Sequence, residues 1–337
     1  FVLHMHFLRH FMKMASPKKA KTQHIGFGKL IIFGEHFVVH NQRPALVGAL
    51  EAYSTCDVHL EDANAWSTGL IVVDDRAAVP GYKDEKKDEM LESTKLVLKH
   101  FGIDHEKRAV RVHFGGPLCA VSGVGASAAS CVALSRALND VLGKNMNEEQ
   151  INAAAFEGEK GYHGTPSGID NTAATYGGLL RFQRSAVAGG SPIFEPQKLD
   201  IPCLVVYAST GITSSTTEVV GDVRKKKDAN PAWYEELQTR YDGIYEKGLA
   251  ALKAGRMAEV GQLCDQNHAL LQELGVSCKE LDDLVVAARK AGAAGAKLAG
   301  TGRGGLMFAV CVDEASQKKV FDALSKVAPQ CWMTKFA

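Results

Sequence analysis

The sequence predicts an α+β protein rather than a doubly wound α/β sheet. Short apolar or alternating runs, which are typical of strands, lie near both ends of the chain, while residues 216–291 are mostly helical by pattern. The two kinds of pattern follow each other without the regular β–α–β alternation of a parallel sheet. At 337 residues, 46% of them hydrophobic, the chain is long enough for two domains of ordinary size.

In the first half, the predicted strands are bounded by glycines or by polar segments. The apolar run from Leu30 to Phe33 lies between Gly28 and Gly34 and predicts the first strand. Further strands are predicted over residues 45–50, around 58–60, over 110–114 and over 178–182.

Two helices follow in the middle of the chain, and each has a recognisable boundary. An alanine- and leucine-rich helix is predicted over residues 127–142 and ends at Gly143. The sequence from Asn147 to Gln150 resembles a capping box and predicts a second helix that runs to about Lys160. The charge-dense segment 82–92 is expected to be exposed to solvent.

The second half begins after the predicted domain boundary. Residues 184–200 contain two glycines and two prolines, so we place the boundary near residue 190, with domains over 23–190 and 191–337. A strand over 204–207 precedes the helical region. Strands over 296–299 and 306–312, a helix over 314–326 and a strand near 331–336 complete the prediction.

The first 22 residues are treated separately because they are basic and the first acidic residue is Glu35. Such a segment is typical of an organelle transit peptide, and a leader or tag that begins before Met14 explains it equally well. We expect a cytoplasmic protein, or one of an organelle such as a mitochondrion, glycosome or peroxisome if residues 1–22 are a native leader.

Composition excludes several functional classes. The formal net charge is +1, which gives no strong electrostatic attraction to nucleic acid or to an anionic membrane. No apolar run approaches the roughly 20 residues of a membrane-spanning helix. The eight cysteines show no CxxC spacing and the 12 histidines no HExxH motif, so we expect buried thiols in a reducing compartment rather than a disulfide framework or a zinc site.

Residues 120–130 read AVSGVGASAAS and lead directly into the first predicted long helix. Small residues allow backbone N–H groups to converge on one point, at which the helix also directs its unpaired N–H groups and its positive dipole end. The segment therefore suits a di- or triphosphate, with the Ser127 hydroxyl near a phosphate-bound metal. A close crossing of helix and strand, which only Gly and Ala would allow, explains it as well.

Two other phosphate-binding patterns are excluded or disfavoured. No stretch matches GxxxxGK[ST], the P-loop pattern. A GxGxxG does occur at residues 300–305, but a strand-like run follows it where a dinucleotide-binding fold requires a helix. We predict a glycine-rich turn between two strands.

Three glycine-containing regions in a fixed order carry a family resemblance. They are GKLIIFGEHFVVH at 28–40, the segment at 120–130 and EKGYHGTPSGIDN at 159–171. In this order they resemble the GHMP kinases, over about residues 24–312. The resemblance implies an N-terminal domain of the ribosomal S5 domain 2 type, a ferredoxin-like C-terminal domain and an active site in the cleft between them.

By the same resemblance, the chain transfers a phosphoryl group from ATP with the help of Mg²⁺. The ATP phosphates are expected at Gly123, Val124, Gly125, Ala126 and Ser127. Asp170 is implied as the general base and Lys29 as its partner, with Mg²⁺ held by Ser127 and Glu159. Taken alone, Asp170 would more often be the N-cap of a helix that begins near Asn171, Lys29 a solvent-facing lysine and Glu159 an exposed helical glutamate.

The Glu-His pair of the first region and the PSGxD segment of the third favour one acceptor within the family. They imply phosphorylation of the primary 5-hydroxyl of (R)-mevalonate to 5-phosphomevalonate, early in isoprenoid and sterol synthesis. Glu35 and His36 are implied to shape the acceptor pocket, and Thr216 to lie near the substrate. The alternatives are a structural role for His36 and a helix N-cap for Thr216.

The sequence departs from the family pattern at three positions. Phe27 replaces a proline before the first Gly-Lys, Ala126 replaces a serine, and Arg303 interrupts a glycine run. Arg303 would be strained if its φ had to be positive; alternatively it contacts a phosphate or the acceptor carboxylate.

Other functions remain as alternatives. The nearest is a GHMP kinase that acts on phosphomevalonate, galactose or homoserine; the second is a non-catalytic sensor of the same fold, and a dinucleotide oxidoreductase is disfavoured. The resemblance also implies a homodimer and inhibition by prenyl diphosphates that compete with ATP.

Overall fold

The computed structural model describes residues 24–40, 43–62, 69–185, 187, 190 and 192–337. The predicted leader over residues 1–22 lies outside these residues. Helices and strands form two sheets with helices packed against them, which confirms the predicted α+β class. None of the helices in the described part of the chain is long and apolar enough to cross a membrane.

The first sheet takes its strands from the first 200 residues. The elements in chain order are β1 (Ile25–Phe33), α1 (Phe37–His40), β2 (Ala45–Asp62), β3 (Gly69–Asp74), α2 (Tyr82–Glu85), α3 (Lys87–His100), β4 (Arg108–Gly115), α4 (Ala126–Val141), α5 (Glu148–His163), α6 (Ile169–Tyr176), β5 (Leu179–Gln183) and β6 (Ile193–Gln197). The strand order is β3-β4-β2-β5-β6, and β1 pairs with β2. Only the pairing of β3 with β4 is parallel among these.

The second sheet follows and is antiparallel throughout. Its part of the chain contains β7 (Cys203–Ser209), α7 (Thr216–Ala229), α8 (Pro231–Lys253), α9 (Met257–Leu274), α10 (Lys279–Lys290), β8 (Gly295–Ala299), β9 (Leu306–Cys311), α11 (Glu314–Leu324) and β10 (Gln330–Phe336). The strand order is β10-β7-β9-β8. The predicted helical region 216–291 is confirmed as four consecutive helices.

Three local predictions were incomplete. The strands predicted at 45–50 and near 58–60 are one 18-residue strand, β2, because its first part pairs with β1 and β5 while its last part pairs with β4. The second part of the charged segment 82–92 forms the start of a helix, α3, and the later residues Val97 and Leu98 of this helix are buried. A short strand, β6, lies within the segment predicted as the domain boundary, and the boundary itself stays a prediction.

Other local predictions are confirmed. The Asn147 side chain accepts a hydrogen bond from Gln150 N at 2.9 Å, and the Gln150 side chain accepts one from Asn147 N, also at 2.9 Å. Residues 300–305 form the turn between the antiparallel strands β8 and β9, which removes the strand-to-helix context that a dinucleotide site requires. Gly302 is essential to this turn because a Cβ there would lie 1.9 Å from the carbonyl oxygen of Val276.

A shared core joins the two sheets and their helices. The Phe37 ring of α1 stacks on the Tyr241 ring of α8 with centroids 4.3 Å apart. The Tyr241 hydroxyl donates to the carbonyl oxygen of Pro44 at 2.6 Å. Phe33 packs against Gly248, where a Cβ would lie only 2.5 Å from the ring. Because both halves contribute to one buried cluster, the end of β1 is held in a defined position against the C-terminal helices.

The core beneath β8 contains a buried histidine. His268 is 2% exposed, accepts a hydrogen bond from Leu298 N at 3.2 Å and faces Asp282 Oδ1 at 3.1 Å. Burial lowers the pKa of His268 to about 4, although the Asp282 charge opposes the shift. The unfolded chain, in which a histidine has a pKa of about 6.5, therefore binds the proton first as the pH falls.

We expect His268 to contribute stability that is complete above pH 6.5 and is lost as the pH falls towards 4. Between pH 8 and pH 5 the loss should be about 2 kcal/mol. Urea unfolding of the wild-type protein and of the His268→Gln variant at both pH values measures it, since the variant should lack this part of the pH dependence. Equal pH dependence in both proteins would contradict the assignment.

Candidate active site

Lys29 and Asp170 are brought together from distant parts of the sequence. Lys29 lies within β1 and is buried, and its Nζ is 3.1 Å from Asp170 Oδ1. The side chain of Lys29 is 5% exposed and that of Asp170 is 25% exposed, so the carboxylate is reachable from outside while the lysine lies behind it. Lys29 is therefore not the solvent-facing lysine of the alternative interpretation.

Asp170 belongs to the first turn of α6, but it is not the cap of that helix. The N-cap residue is Gly168, with φ 87°, and the helix begins at Ile169 rather than near Asn171. The N-cap alternative for Asp170 is therefore wrong. A carboxylate in the first turn is stabilised by the positive end of the helix dipole, which supplements the ion pair with Lys29.

The predicted phosphate-binding segment lies against Lys29. The backbone N–H of Lys29 donates to the carbonyl oxygen of Val124 at 2.8 Å. Gly125 is the N-cap of α4 with φ 69°, and a Cβ at this position would lie 2.9 Å from Cγ of Lys29. Glycine is thus required both for the backbone conformation and for the close approach of the lysine. The start of α4, whose first N–H groups have no partner within the helix, therefore lies beside Lys29.

The other explanation of this segment, a close crossing of helix and strand, is confirmed. A Cβ on Gly26 of β1 would lie 2.1 Å from the carbonyl oxygen of Ala129 in α4. The tight crossing of β1 and α4 brings the N-terminus of α4 next to Lys29.

Glu159 is buried beside the same pair. Its side chain is 1% exposed, which contradicts the alternative of an exposed helical glutamate, and the Ser127 hydroxyl lies beside it. Burial, and then the nearby charge of Asp170, raise the pKa of Glu159 to about 8. A carboxylate with so little solvation needs a positive partner to remain charged. Two oxygen donors, Glu159 and Ser127, match the preference of Mg²⁺, which takes few protein ligands and leaves the rest to phosphates and water.

His163 was not predicted as a site residue, although it lies within the third family region. Its Nε2 is 3.7 Å from Glu159 Oε2, and burial lowers its pKa. With Glu159, Ser167 and Asp170 it lines a small cavity at the start of α6. The cavity gives the Asp170 carboxylate an open side.

The residues implied for the acceptor pocket meet the turn between β8 and β9. His36 Nε2 lies 2.8 Å from the carbonyl oxygen of Thr301, and the hydroxyls of Thr216 and Thr301 are 2.9 Å apart. Glu35 is fully buried and paired with Lys297. The N-cap of α7 is Ser215, whose side chain accepts from Glu218 N at 3.3 Å, so the N-cap alternative for Thr216 is wrong.

Thr301 and Lys297 were missed by the sequence analysis. Their partners are 265 and 262 positions away in the chain, and neither residue belongs to a periodic pattern that would mark it. The glycine-rich segment 300–305 was the available signal, and apart from Arg303 it was interpreted as a turn.

Arg303 has the strained backbone that the departure from the glycine run suggested, with φ 53°. Its Nη1 donates to Asp222 Oδ2 of α7 at 2.8 Å, and its backbone N–H donates to the carbonyl oxygen of Val276 at 2.8 Å. These contacts compensate for the unfavourable conformation. In this structure the guanidinium binds α7, next to the Thr216–Thr301 contact.

A buried arginine that was also missed supports the phosphate segment from the other side. Arg76 is 4% exposed, and its Nη1 donates to the carbonyl oxygen of Ala126 and to the Ser54 hydroxyl, both at 3.0 Å. Its other N–H groups bind the Asp74 carboxylate. Arg76 therefore fixes the first residue of α4 to the loop that follows β3.

The chain is similar to known proteins in its domains, its sequence and its fold. The models of the GHMP kinase N-terminal domain and of the GHMP kinase C-terminal region match residues 90–178 and 249–330. Mevalonate kinase of Pyrococcus horikoshii is 32% identical over 298 residues, which is 84% of this chain and 86% of that one. Mevalonate kinase of Aeropyrum pernix is 33% identical over 286 residues, 83% and 86% of the two chains.

Among solved structures, that of L. major mevalonate kinase in complex with R-mevalonate superimposes with a TM-score of 0.86. It shares 40% sequence identity, and the match covers 96% of this chain and 98% of that one. The fold and the relatives define the class: the chain is a kinase and belongs to the GHMP kinase family. Within that family it groups with the mevalonate kinases.

Proposed function

We propose that this chain transfers the γ-phosphoryl group of ATP to the 5-hydroxyl of (R)-mevalonate, giving 5-phosphomevalonate for isoprenoid synthesis. The observation that carries the proposal is the Lys29–Asp170 pair beside the N-terminus of α4, in which a buried ammonium lies 3.1 Å from a partly exposed carboxylate. The names of its relatives, and the R-mevalonate bound to the L. major enzyme, support this choice of acceptor.

In the proposed reaction, Asp170 accepts the proton of the acceptor hydroxyl while the hydroxyl oxygen forms a bond to the γ-phosphorus. The bond from that phosphorus to the bridging oxygen breaks, and ADP leaves. Such a reaction depends mainly on positioning and on the stabilisation of negative charge. Lys29 lies within reach of Asp170 and stabilises the carboxylate and the transferring phosphoryl group.

In this proposal the phosphates of the nucleotide bind at the turn from Gly123 to Ser127. The start of α4 offers backbone N–H groups and a positive dipole end to an anion. Ser127 and Glu159 would hold Mg²⁺, which when bound would neutralise phosphate charge. The buried carboxyl of Glu159, whose burial raises its pKa to about 8, fits a position that a cation completes.

An acceptor panel tests the proposal. We expect the protein to release ADP from MgATP in the presence of (R)-mevalonate and not with phosphomevalonate, galactose or homoserine. Turnover with one of those three instead would assign a different acceptor. Nucleotide binding without turnover of any of the four would favour the sensor, which is disfavoured because all four proposed catalytic and metal positions are filled.

From the family resemblance we infer a homodimer and inhibition by prenyl diphosphates that compete with ATP. We also propose action in the cytoplasm, or in an organelle if residues 1–22 are a native leader. The eight cysteines, none of which is in a disulfide, are consistent with a reducing compartment.

A further inference from the structure

An ion pair inside the protein joins the turn after β1 to the second sheet. Lys297 Nζ of β8 lies 2.5 Å from Glu35 Oε1, and both side chains are 0% exposed. The Lys297 ammonium also lies over the Phe308 ring, 5.3 Å from its centroid. A buried ion pair is a weak source of stability, because desolvation offsets the attraction between the charges. A geometrical role explains its presence better.

The turn that carries Glu35 has an unfavourable backbone. Gly34 has φ 124°, and His36, which has a Cβ, has φ 63°. Non-glycine residues keep such a conformation only where their surroundings enforce it. Two contacts that hold this turn come from the β8–β9 hairpin of the second sheet. Lys297 contacts Glu35, and the Thr301 carbonyl contacts His36.

These contacts determine which nitrogen of the His36 ring carries the proton, and they set the orientation of the ring. A carbonyl oxygen can only accept, so His36 Nε2 carries the hydrogen in its contact with Thr301. Burial lowers the pKa of His36 to about 4, so the ring is neutral near pH 7 and Nδ1 has a lone pair. Among the described residues, His36 Nδ1 is buried without a hydrogen-bond partner. Such an atom suits a ligand that donates a hydrogen bond, such as an alcohol.

We propose that Lys297 is a positioning residue that, through Glu35, holds the turn after β1 so that Nδ1 of His36 is presented to a hydroxyl of the acceptor. The inference rests on the proposed function, because it takes the acceptor to be an alcohol bound beside this turn. Lys297 does not touch the substrate; it acts through Glu35 and the backbone that leads to His36.

Two variants separate positioning from stability. Lys297→Met leaves the Glu35 carboxylate buried without its partner, whereas the double variant Glu35→Gln/Lys297→Met removes both charges and should recover thermal stability. In both variants we expect the KM for the acceptor to rise about tenfold or more, since a small displacement of a binding group is costly. The KM for ATP should stay within about twofold of the wild-type value.

A matched control exists at the surface. Lys335 of β10 pairs with Glu51 of β2 at 3.8 Å, and this pair also joins the two sheets, but both side chains are at least half exposed. Lys335→Met should leave both KM values unchanged. The proposal is overturned if the double variant regains the wild-type acceptor KM together with its stability, or if the KM for ATP rises as much as that for the acceptor. If Lys297→Met does not fold, the double variant alone decides.

A measurement without substrate distinguishes failure of this inference from failure of the proposed function. The acceptor panel on wild-type protein identifies the acceptor first, and the ratio of the two KM values is then measured on whichever alcohol reacts.

The measurement that needs no substrate is the side-chain ¹⁵N spectrum at pH 7, with His36→Gln for assignment. It should show a ring protonated at Nε2 in the wild-type protein. A mixture of tautomers in the double variant supports the inference, and an unchanged signal overturns it.

Discussion

Asp170→Asn is expected to reduce kcat by about 10³- to 10⁴-fold, which is the upper range for the loss of a general base. The variant should still bind ATP. Asparagine has nearly the same shape as aspartate but cannot take a proton from an alcohol. The Asp170 carboxylate lies on the cavity side of the Lys29 ammonium, so the substitution removes the base without opening the core. Steady-state rates with saturating MgATP and (R)-mevalonate, and calorimetric titration with ATP, measure the two quantities.

The control for this experiment is Asp62→Asn. Asp62 pairs with Arg108 at 3.4 Å at the end of β2, but it is almost fully exposed and belongs to a surface ion pair. Its substitution should change kcat by less than about twofold, within the range of surface substitutions. A rate for Asp170→Asn near that of Asp62→Asn would show that Asp170 is not the base.

The sequence was sufficient to predict which segments meet at the site, because the order of three glycine-containing regions carries that information. It was not sufficient to predict the depth of Lys29. A lysine in an apolar strand is buried here only because Gly125 lets α4 approach its side chain. Whether a glycine allows such an approach depends on which element lies opposite it, and no local pattern encodes this.

The residues that support the site were the least predictable. Arg76, Lys297 and Thr301 each act through a partner that is at least 50 positions away in sequence. Arg76 lies outside the residues that the two family models match, and Lys297 lies in an apolar strand where a charge would be taken as surface-exposed. Their roles follow only from tertiary contacts, which single-sequence periodicity does not contain.

The fold was predictable where one face of an element is apolar and its ends are marked. The capping box at Asn147 and the glycine-bounded strand β1 are examples. The helix α3 was missed because seven of its 14 residues are charged or histidine, which conceals the narrow buried stripe that contains Val97 and Leu98. The strand β6 was missed because a proline lies within it, and an edge strand tolerates a proline more readily than a central one.

Glu159→Gln should give the second large effect, a fall in kcat of roughly 100-fold or more together with a higher Mg²⁺ requirement. A metal ion contributes several kcal/mol of charge stabilisation in such sites, and each 1.36 kcal/mol corresponds to about tenfold in rate. Loss of the only buried carboxylate beside Ser127 among the described residues should therefore raise the Mg²⁺ concentration for half-maximal rate by about tenfold. The rate as a function of Mg²⁺ at fixed, saturating ATP measures both.

Folding does not confound this prediction. Burial already favours the neutral form of the Glu159 carboxyl, and its pKa is raised to about 8, so a neutral amide of the same shape should be tolerated and the melting temperature should not fall. Glu157→Gln is the matched control. Glu157 lies two residues before Glu159 on α5, is partly exposed and pairs with Lys160 at 2.7 Å. If Glu159→Gln kept the wild-type Mg²⁺ dependence, Glu159 would not be a metal ligand, and its burial beside Asp170 would need another explanation.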